Sequence, residues 1–398
     1  MRRECEPGLT ACRRSQVRAP PRCSRAIAMT TRREVLRVLG GAAATAGLYP
    51  ALNGCSGRSS SESYEEAATR TWRHGALNGL HGAELAAELT RYATLAPSSH
   101  NTQCWKFSAA PGSITILPDF ARRCPAVDPD DHHLFVSLGC AAENLIQAAA
   151  AAGLRGEADF DAQRECVPIQ LAPTTAIESP LFKAIPDRQC TRAEFDGQVI
   201  STAEMRQLAS AADSEQVDVL LLTERRVLEQ VLEYVVAGNT AQIADPAFIA
   251  ELKAWIRFNE TAAVRSGDGL YAASSGNPTL PTWLGRRLFD VFFTARSENE
   301  KYARQMRSSA GVAVFVGKTA DKSNWVEVGR SYQRFALQSS ALGIRNAMLN
   351  QPVEVAHLRT EFASLLGIGT QRPDLVVRFG RGPKLPASLR RPVQAVMT

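Results

Sequence analysis

Gly139-Cys-Ala-Ala-Glu-Asn-Leu-Ile-Gln-Ala-Ala-Ala-Ala-Ala-Gly153-Leu-Arg155 returns, 190 residues on, as Gly329-Arg-Ser-Tyr-Gln-Arg-Phe-Ala-Leu-Gln-Ser-Ser-Ala-Leu-Gly343-Ile-Arg345. Gly139, Ala151, Gly153 and Arg155 match Gly329, Ala341, Gly343 and Arg345 at that constant offset. Each stretch ends in Gly followed by Leu or Ile and then Arg, the pattern of a helix closed by a left-handed glycine cap. The first helix, read over Leu134–Leu154, is apolar nearly all round and so is predicted to be buried. Coincidence between two Ala/Gly-rich helices is one reading of the echo. The other is a duplication: two similar α+β halves fused in one chain, a built-in dimer with any site at the seam.

The elements around the two helices fit a mixed architecture. In the first half the spacing predicts a helix over Leu80–Leu95 stopped by Pro97, and strands at Ser113–Leu117, Glu157–Phe160 and Val167–Leu171. In the second it predicts helices at Thr202–Ala212, Arg225–Ala237, Pro246–Phe258, Trp325–Leu342 and Val355–Leu366. The strands there are Val217–Leu222, Gly311–Val316 and Leu375–Phe379. Residues 80–180 and 181–398 form the two halves. Residues 259–297 interrupt the second with Gly, Pro and aromatic residues (Tyr271, Trp283, Phe289), which suits a cover over a site. Residues 56–79, rich in Ser, Glu and Arg, read as a tether.

The charge is unevenly distributed. Of the formal +6, residues 1–58 carry +8, from eleven Arg and three Glu, which leaves the rest at −2. A nucleic-acid footprint belongs on the folded body, so nucleic acid is excluded as a partner. The leader, 1–55, runs Thr31-Arg32-Arg33-Glu34-Val35-Leu36-Arg37, then a weakly apolar run Val38–Leu52, then Asn53-Gly54-Cys55, which describes a secretory signal in 29–55. The run is too short and too rich in Gly and Ala to span a membrane. Arg32 and Arg33 resemble a twin-arginine signal, with a general secretory signal as the alternative. Leu52–Cys55 resembles a bacterial lipobox that would lipidate Cys55, with a chance cysteine as the alternative. Residues 1–28 lack periodicity, and Met29 is favoured as the initiator. The expected location is the bacterial cell envelope, periplasmic or anchored to the membrane, with the twin-arginine translocase as export partner.

Beyond Cys55 five cysteines remain, an odd number with no Cys-x-x-Cys, which argues against a disulfide framework and a zinc site. Three other motifs carry no function on this reading. Gly311–Thr319 misses the P-loop spacing and reads as a buried strand. Asp128–His133 has metal-ligand types but sits where acidic residues favour a helix start. Ser98 and His100 lack a hydrolase elbow around them.

Leu95-Ala96-Pro97-Ser98-Ser99-His100-Asn101-Thr102-Gln103-Cys104-Trp105 resembles the Pro-Ser-x-x-Asn-x-Gln-Pro-Trp segment of the nitroreductase superfamily. It looks most like the mycobacterial Acg-type branch, whose members fuse two halves; Cys104 replaces the usual Pro. A flavin needs a few placed hydrogen-bond groups, an apolar wall such as Trp105 would supply, and cations for its phosphate. The stretch Asp187-Arg188-Gln189-Cys190-Thr191-Arg192 resembles the family's Arg motif for the FMN phosphate, matching at Arg188 and Arg192. The end of the chain, with Arg390 and Arg391, resembles its closing basic segment, with Arg390 favoured.

The resemblance implies a nitroreductase-like fold, an intramolecular pseudo-dimer that is monomeric as a chain. It implies an FMN site drawn from Ser98, Ser99, Asn101, Gln103, Arg188, Arg192, Gly343 and Arg390, with no obligatory catalytic side chain. Leu80–Ala96 offers only Arg91 as the counterpart of the Arg motif, so one FMN per chain is expected. The implied activity passes electrons from NADH or NADPH to a small-molecule acceptor such as a nitroaromatic or quinone. A protein that holds FMN under a cover without turnover, and a flavin-free envelope lipoprotein, stay open as alternatives.

Overall fold

The computed structural model describes residues 62–398. Arg32, Arg33, Cys55 and the leader therefore lie outside the described residues, as does the start of the expected tether. From residue 62 that expectation is corrected. Tyr64–Thr71 is a helix (α1) closed by a capping box in which Ser63 and Glu66 bond each other's backbone N–H. Its polar composition conceals one apolar face. Tyr64 and Ala67 are buried, the Tyr64 hydroxyl donates to the Ala387 carbonyl, and the Trp72 indole donates to Ser388 O at 2.8 Å.

The first half continues with α2 (Gly82–Thr94), the hairpin β1 (Trp105–Ala110) and β2 (Ser113–Pro118), α3 (His132–Ala151), β3 (Leu154–Ala158) and β4 (Val167–Pro173). Its strands form an antiparallel sheet in the order β1-β2-β4-β3. After a short α4 (Pro180–Ala184) the second half runs α5 (Thr202–Ala212) and β5 (Val217–Leu222). A long excursion follows: α6 (Arg225–Ala244), α7 (Pro246–Trp255), β6 (Ile256–Arg257), α8 (Glu260–Ser266), β7 (Leu270–Tyr271), α9 (Thr282–Phe292) and α10 (Ala295–Arg307). The half then closes with β8 (Gly311–Gly317), α11 (Lys322–Ala341), β9 (Arg345–Met348), α12 (Gln351–Glu354), α13 (Arg359–Leu366) and β10 (Pro373–Gly380). The second sheet has the order β5-β8-β10-β9, also antiparallel.

The two sheets are the same topology twice: first strand, second, fourth, third, with one long helix between the second and third. The expected α+β fold of two similar halves is what the chain adopts. α3 and α11 start and stop at the same offset of 190 that relates the glycines. They cross with their backbones in contact. A methyl at Gly139 would lie 2.0 Å from Val326 O, and one at Gly329 would lie 2.0 Å from Val136 O. Val136 and Val326 are themselves counterparts, so the crossing is self-complementary, as a two-fold interface must be. Gly153 (φ 77) and Gly343 (φ 70) take the left-handed caps that glycine tolerates.

One hydrophobic cluster runs through both halves, joining Phe135, Leu138 and Leu145 to Val328, Phe335 and Phe379. The boundary near residue 180 is thus a change of sheet rather than of core. The last residues cross it as well: Phe107 N donates to Val396 O (2.8 Å) and Thr398 N to Phe107 O (2.9 Å), so the C-terminus edges the first sheet. The halves differ most where β1 and β2 join by the turn Pro111-Gly112 and β5 and β8 by residues 223–310. The expected cover at 259–297 is the middle of this larger helical insertion. Asp128 accepts from the backbone N–H of His133 and Leu134, both at 3.0 Å, in keeping with a helix-start role.

Candidate functional site

Pro97 ends the helical run after α2, and the chain turns through Ser98–Gln103 into β1. Three residues there adopt left-handed backbone: His100 (φ 48), Asn101 (φ 53) and Gln103 (φ 55). Such angles are uncommon outside glycine and need the surroundings to hold them. Here Ser98 Oγ accepts from Gln103 N at 2.9 Å, which closes the loop on itself.

The two amide side chains then point into protein. Asn101 Nδ2 donates to Gly269 O (2.9 Å) and Leu389 O (3.2 Å), and its Oδ1 accepts from Arg390 Nη1 (2.8 Å). Gln103 Nε2 donates to Gly267 O (2.8 Å), while its Oε1 accepts from Arg391 N (2.8 Å). Both amides therefore tie a turn of the insertion, Gly267-Asp268-Gly269, to the C-terminal segment. Asp268 is gripped by Arg122 from the first half and by Arg257 Nη2 at 2.6 Å. Gly269 has to be glycine: its φ is +77, and a methyl would meet Trp255 O at 2.4 Å.

The sequence-derived cations arrive by different routes. Arg188, almost fully buried, donates from Nη2 to Leu95 O at 2.8 Å, so the second half does meet the first at this loop. Its Nε is buried with no partner. Arg390 uses Nε on Thr94 O, Nη2 on Leu95 O and Ala96 O, and Nη1 on Asn101 Oδ1, Ser388 O and Leu389 O. An arginine has five N–H donors, and all five of these are engaged. The Thr94, Leu95 and Ala96 carbonyls end α2, where the helix dipole is negative, and this suits a cation. Arg390, expected to hold a phosphate, thus closes a helix and fixes Asn101. Both guanidiniums lie over the Trp72 ring, Arg390 at 4.8 Å and Arg188 at 5.9 Å from its centroid. Burial, and then Arg188, lowers the Arg390 pKa to about 9.

Arg192 is half-buried, and its carbonyl accepts from Gln305 Nε2 at 2.6 Å. Its charge reaches His100, which burial first and Arg192 second push down to about 4, leaving the imidazole neutral at pH 7. Arg378, fully buried, donates to Thr191 O (3.0 Å) and Ala193 O (2.6 Å) and so rigidifies the segment that presents Arg192. Among the described residues none of Arg188, Arg192, Arg378 and Arg390 has a carboxylate within ion-pairing distance. Buried cations without an anion are costly, and a bound anion offsets that cost.

The remaining expected residues sit apart from this network. Ser99 is half-buried in the single 3-10 turn Ser99–Asn101. Gly343 caps α11, and the nearest atom to its absent Cβ is Arg381 Nη1 at 3.6 Å. Its conservation of the echo follows from helix geometry, and nothing ties it to the Ser98–Gln103 loop. Trp105, expected as an apolar wall, opens β1 and is wholly buried in the shared core. Trp72, Asp268, Arg122 and Arg378 complete the network without any local motif that marks them in the sequence. A cleft of about 500 Å³ adjoins Arg390, but Arg70, Arg73, Arg91, Glu84 and Glu88 give it mixed charge.

No family model matches the chain. A Mycobacterium tuberculosis protein named as an NAD(P)H nitroreductase is 24% identical over 331 residues, covering 79% of this chain and 91% of its own. An uncharacterised protein of the same organism is 23% identical over 322 residues, covering 76% of this chain and 89% of the relative. Among solved structures, the FMN-dependent nitroreductase of Mycobacterium smegmatis in complex with NADPH aligns at 13% identity and a TM-score of 0.34. That alignment spans 55% of this chain and 91% of the other. A Desulfitobacterium hafniense nitroreductase with bound FMN gives 16% identity, a TM-score of 0.33 and coverage of 53% and 94%. The chain is thus similar in sequence, over more than three-quarters of its length, to a protein named as a nitroreductase.

Proposed function

We propose that the chain is an FMN-dependent oxidoreductase of nitroreductase type, with one flavin site per chain at the seam of the halves. The observation that carries this is the meeting of second-half cations without carboxylate partners and the first-half Ser98–Gln103 loop. Arg188 keeps a free Nε, and Arg192 keeps its guanidinium out of any ion pair among the described residues. Both suit a phosphate, which arginine can hold through paired hydrogen bonds. Arg390 acts one step back by orienting Asn101. Ser98 and Ser99 are the groups left to meet the polar edge of the ring, while the Asn101 and Gln103 amides, expected there, are bonded to the insertion and the C-terminal segment and hold the loop in shape. The mirror position in the first half has only Arg91, which Glu88 already engages at 2.7 Å, so it offers no second phosphate site.

The chemistry FMN supplies when bound is hydride uptake from NADH or NADPH and electron delivery to an oxidised acceptor such as a nitroaromatic or quinone. The protein's part is to hold, orient and shield, and no side chain is required as acid or base. One observation favours a second reading, in which FMN is held without turnover. The Gly267–Gly269 turn occupies the amides of Asn101 and Gln103, and a cover so fastened excludes a donor.

Purified full-length protein, reconstituted with FMN and titrated anaerobically with NADH and NADPH, separates these readings. Bleaching of the flavin spectrum by either nicotinamide supports turnover; bleaching by dithionite alone supports sequestration. No retained flavin sinks both and leaves a flavin-free envelope protein. Arg192→Ala should weaken FMN retention at least about tenfold, the order of one lost charge-assisted bond; unchanged retention removes Arg192 from the phosphate site.

Export belongs to the same proposal. Arg32→Lys with Arg33→Lys should stop transport by the twin-arginine translocase, and Cys55→Ser should release any membrane-anchored protein. Continued export of the double variant would end the twin-arginine reading.

A further inference from the structure

Against the expectation from the cysteine spacing, we infer that His100, Cys124 and Glu251, a set with a single cysteine, form a zinc site that clasps the insertion to the first half. Their ligand atoms, one imidazole nitrogen, one thiol and one carboxylate oxygen, all lie within 4.8 Å of one another. The three come from separate parts of the chain: the strained loop before β1, the stretch leading into α3, and α7 of the insertion.

Each donor is in a state that a metal would complete. His100 Nε2 is buried and has no hydrogen-bond partner, and the ring is neutral at pH 7, which is the ligand form. Cys124 is buried and forms no disulfide, so its sulfur is free to bind a metal. Glu251 has both oxygens fixed, accepting from Ala126 N at 2.9 Å and Val127 N at 3.2 Å. A carboxylate oxygen has a second lone pair, so these bonds orient the ligand without exhausting it.

Zinc takes imidazole, thiolate and carboxylate at about 2.0–2.3 Å in a tetrahedron, which places donors roughly 3.3–3.6 Å apart. The ligand atoms, now within 4.8 Å of one another, would draw together by up to about 1.5 Å on binding. Three protein ligands leave one position open, the arrangement of zinc sites that also hold water or a small ligand. Binding takes the proton from the Cys124 thiol and releases it to solvent as the Zn–S bond forms. One thiolate, one carboxylate and Zn²⁺ sum to zero charge, so the bound site is neutral beside Arg192. The wall is apolar: Val127, Phe248 and Leu252 pack with Cys124 in one cluster.

Zinc binding by these three residues requires no flavin. Full-length protein is stripped with chelator, dialysed, and titrated with Zn²⁺ and separately with Co²⁺. One zinc per chain is expected, with a raised melting temperature and a cobalt–sulfur charge-transfer band. Cys124→Ser should abolish that band, and Glu251→Gln, which keeps a carbonyl acceptor for the backbone, should weaken zinc at least about tenfold. Circular dichroism matching the parent shows that each variant is folded. A binding stoichiometry far below one, or zinc and the cobalt band unchanged in both variants, overturns the site.

Discussion

At the residue scale Arg390 shows how a position can be found by sequence and still do different work. Every N–H of its guanidinium ends on a carbonyl or on Asn101, so Arg390→Lys keeps the charge but loses the planar fork. Leaving several buried carbonyls unpaired should cost about 3 kcal/mol, read as a lower urea midpoint at unchanged slope. Asp374 makes a second case. Its Oδ1 faces His132 Nε2 at 2.8 Å and its Oδ2 accepts from Gly317 N at 2.6 Å, yet burial raises its pKa from 3.8 to about 6. The folded state therefore binds the extra proton between about pH 4 and 6. That share of stability is fully present below the lower value and is lost as pH rises through the upper one. Relative to Asp374→Asn, the parent should lose up to about 3 kcal/mol between pH 4 and 7. Parallel curves of unfolding free energy against pH would refute the assignment.

At the element scale the crossing of α3 and α11 gives the strongest test of the fold. An exposed helical Gly→Ala change gains about 1 kcal/mol. Gly139→Ala and Gly329→Ala should instead each cost at least about 2 kcal/mol, because the new methyl falls on a backbone carbonyl that cannot step aside. Thermal unfolding of the two variants reads the sign directly. Elements with local signals were legible in sequence: Thr202–Ala212 and Val217–Leu222 came out with their observed ends, and Ser201 with Glu204 forms the capping box that starts α5. The glycine echo carried the two-half plan. By contrast β1 and α1 carry weak local signals: β1 opens on Trp105 directly after the polar loop, and the residues of α1 are mostly polar. The grip of Asn101 and Gln103 on Gly267 and Gly269 joins residues more than 160 apart in sequence, and no local pattern announces such a bond.

At the scale of the whole molecule the shared core forbids independent halves. Residues 62–180 expressed alone would leave Phe135, Leu138 and Leu145 without Val328 and Phe335, so this fragment should fail to give a cooperative thermal transition. The full chain should unfold in a single step by both far- and near-ultraviolet circular dichroism; two resolved steps would contradict the common core. The duplication has one more consequence. In a homodimer every substitution appears twice, so neither face can change without its twin. Here the hairpin turn at Pro111-Gly112 stays short while residues 223–310 fill the matching place on the other side. Joining two copies in one gene breaks that bond between twins, and lets one face specialise while the other keeps the pair together.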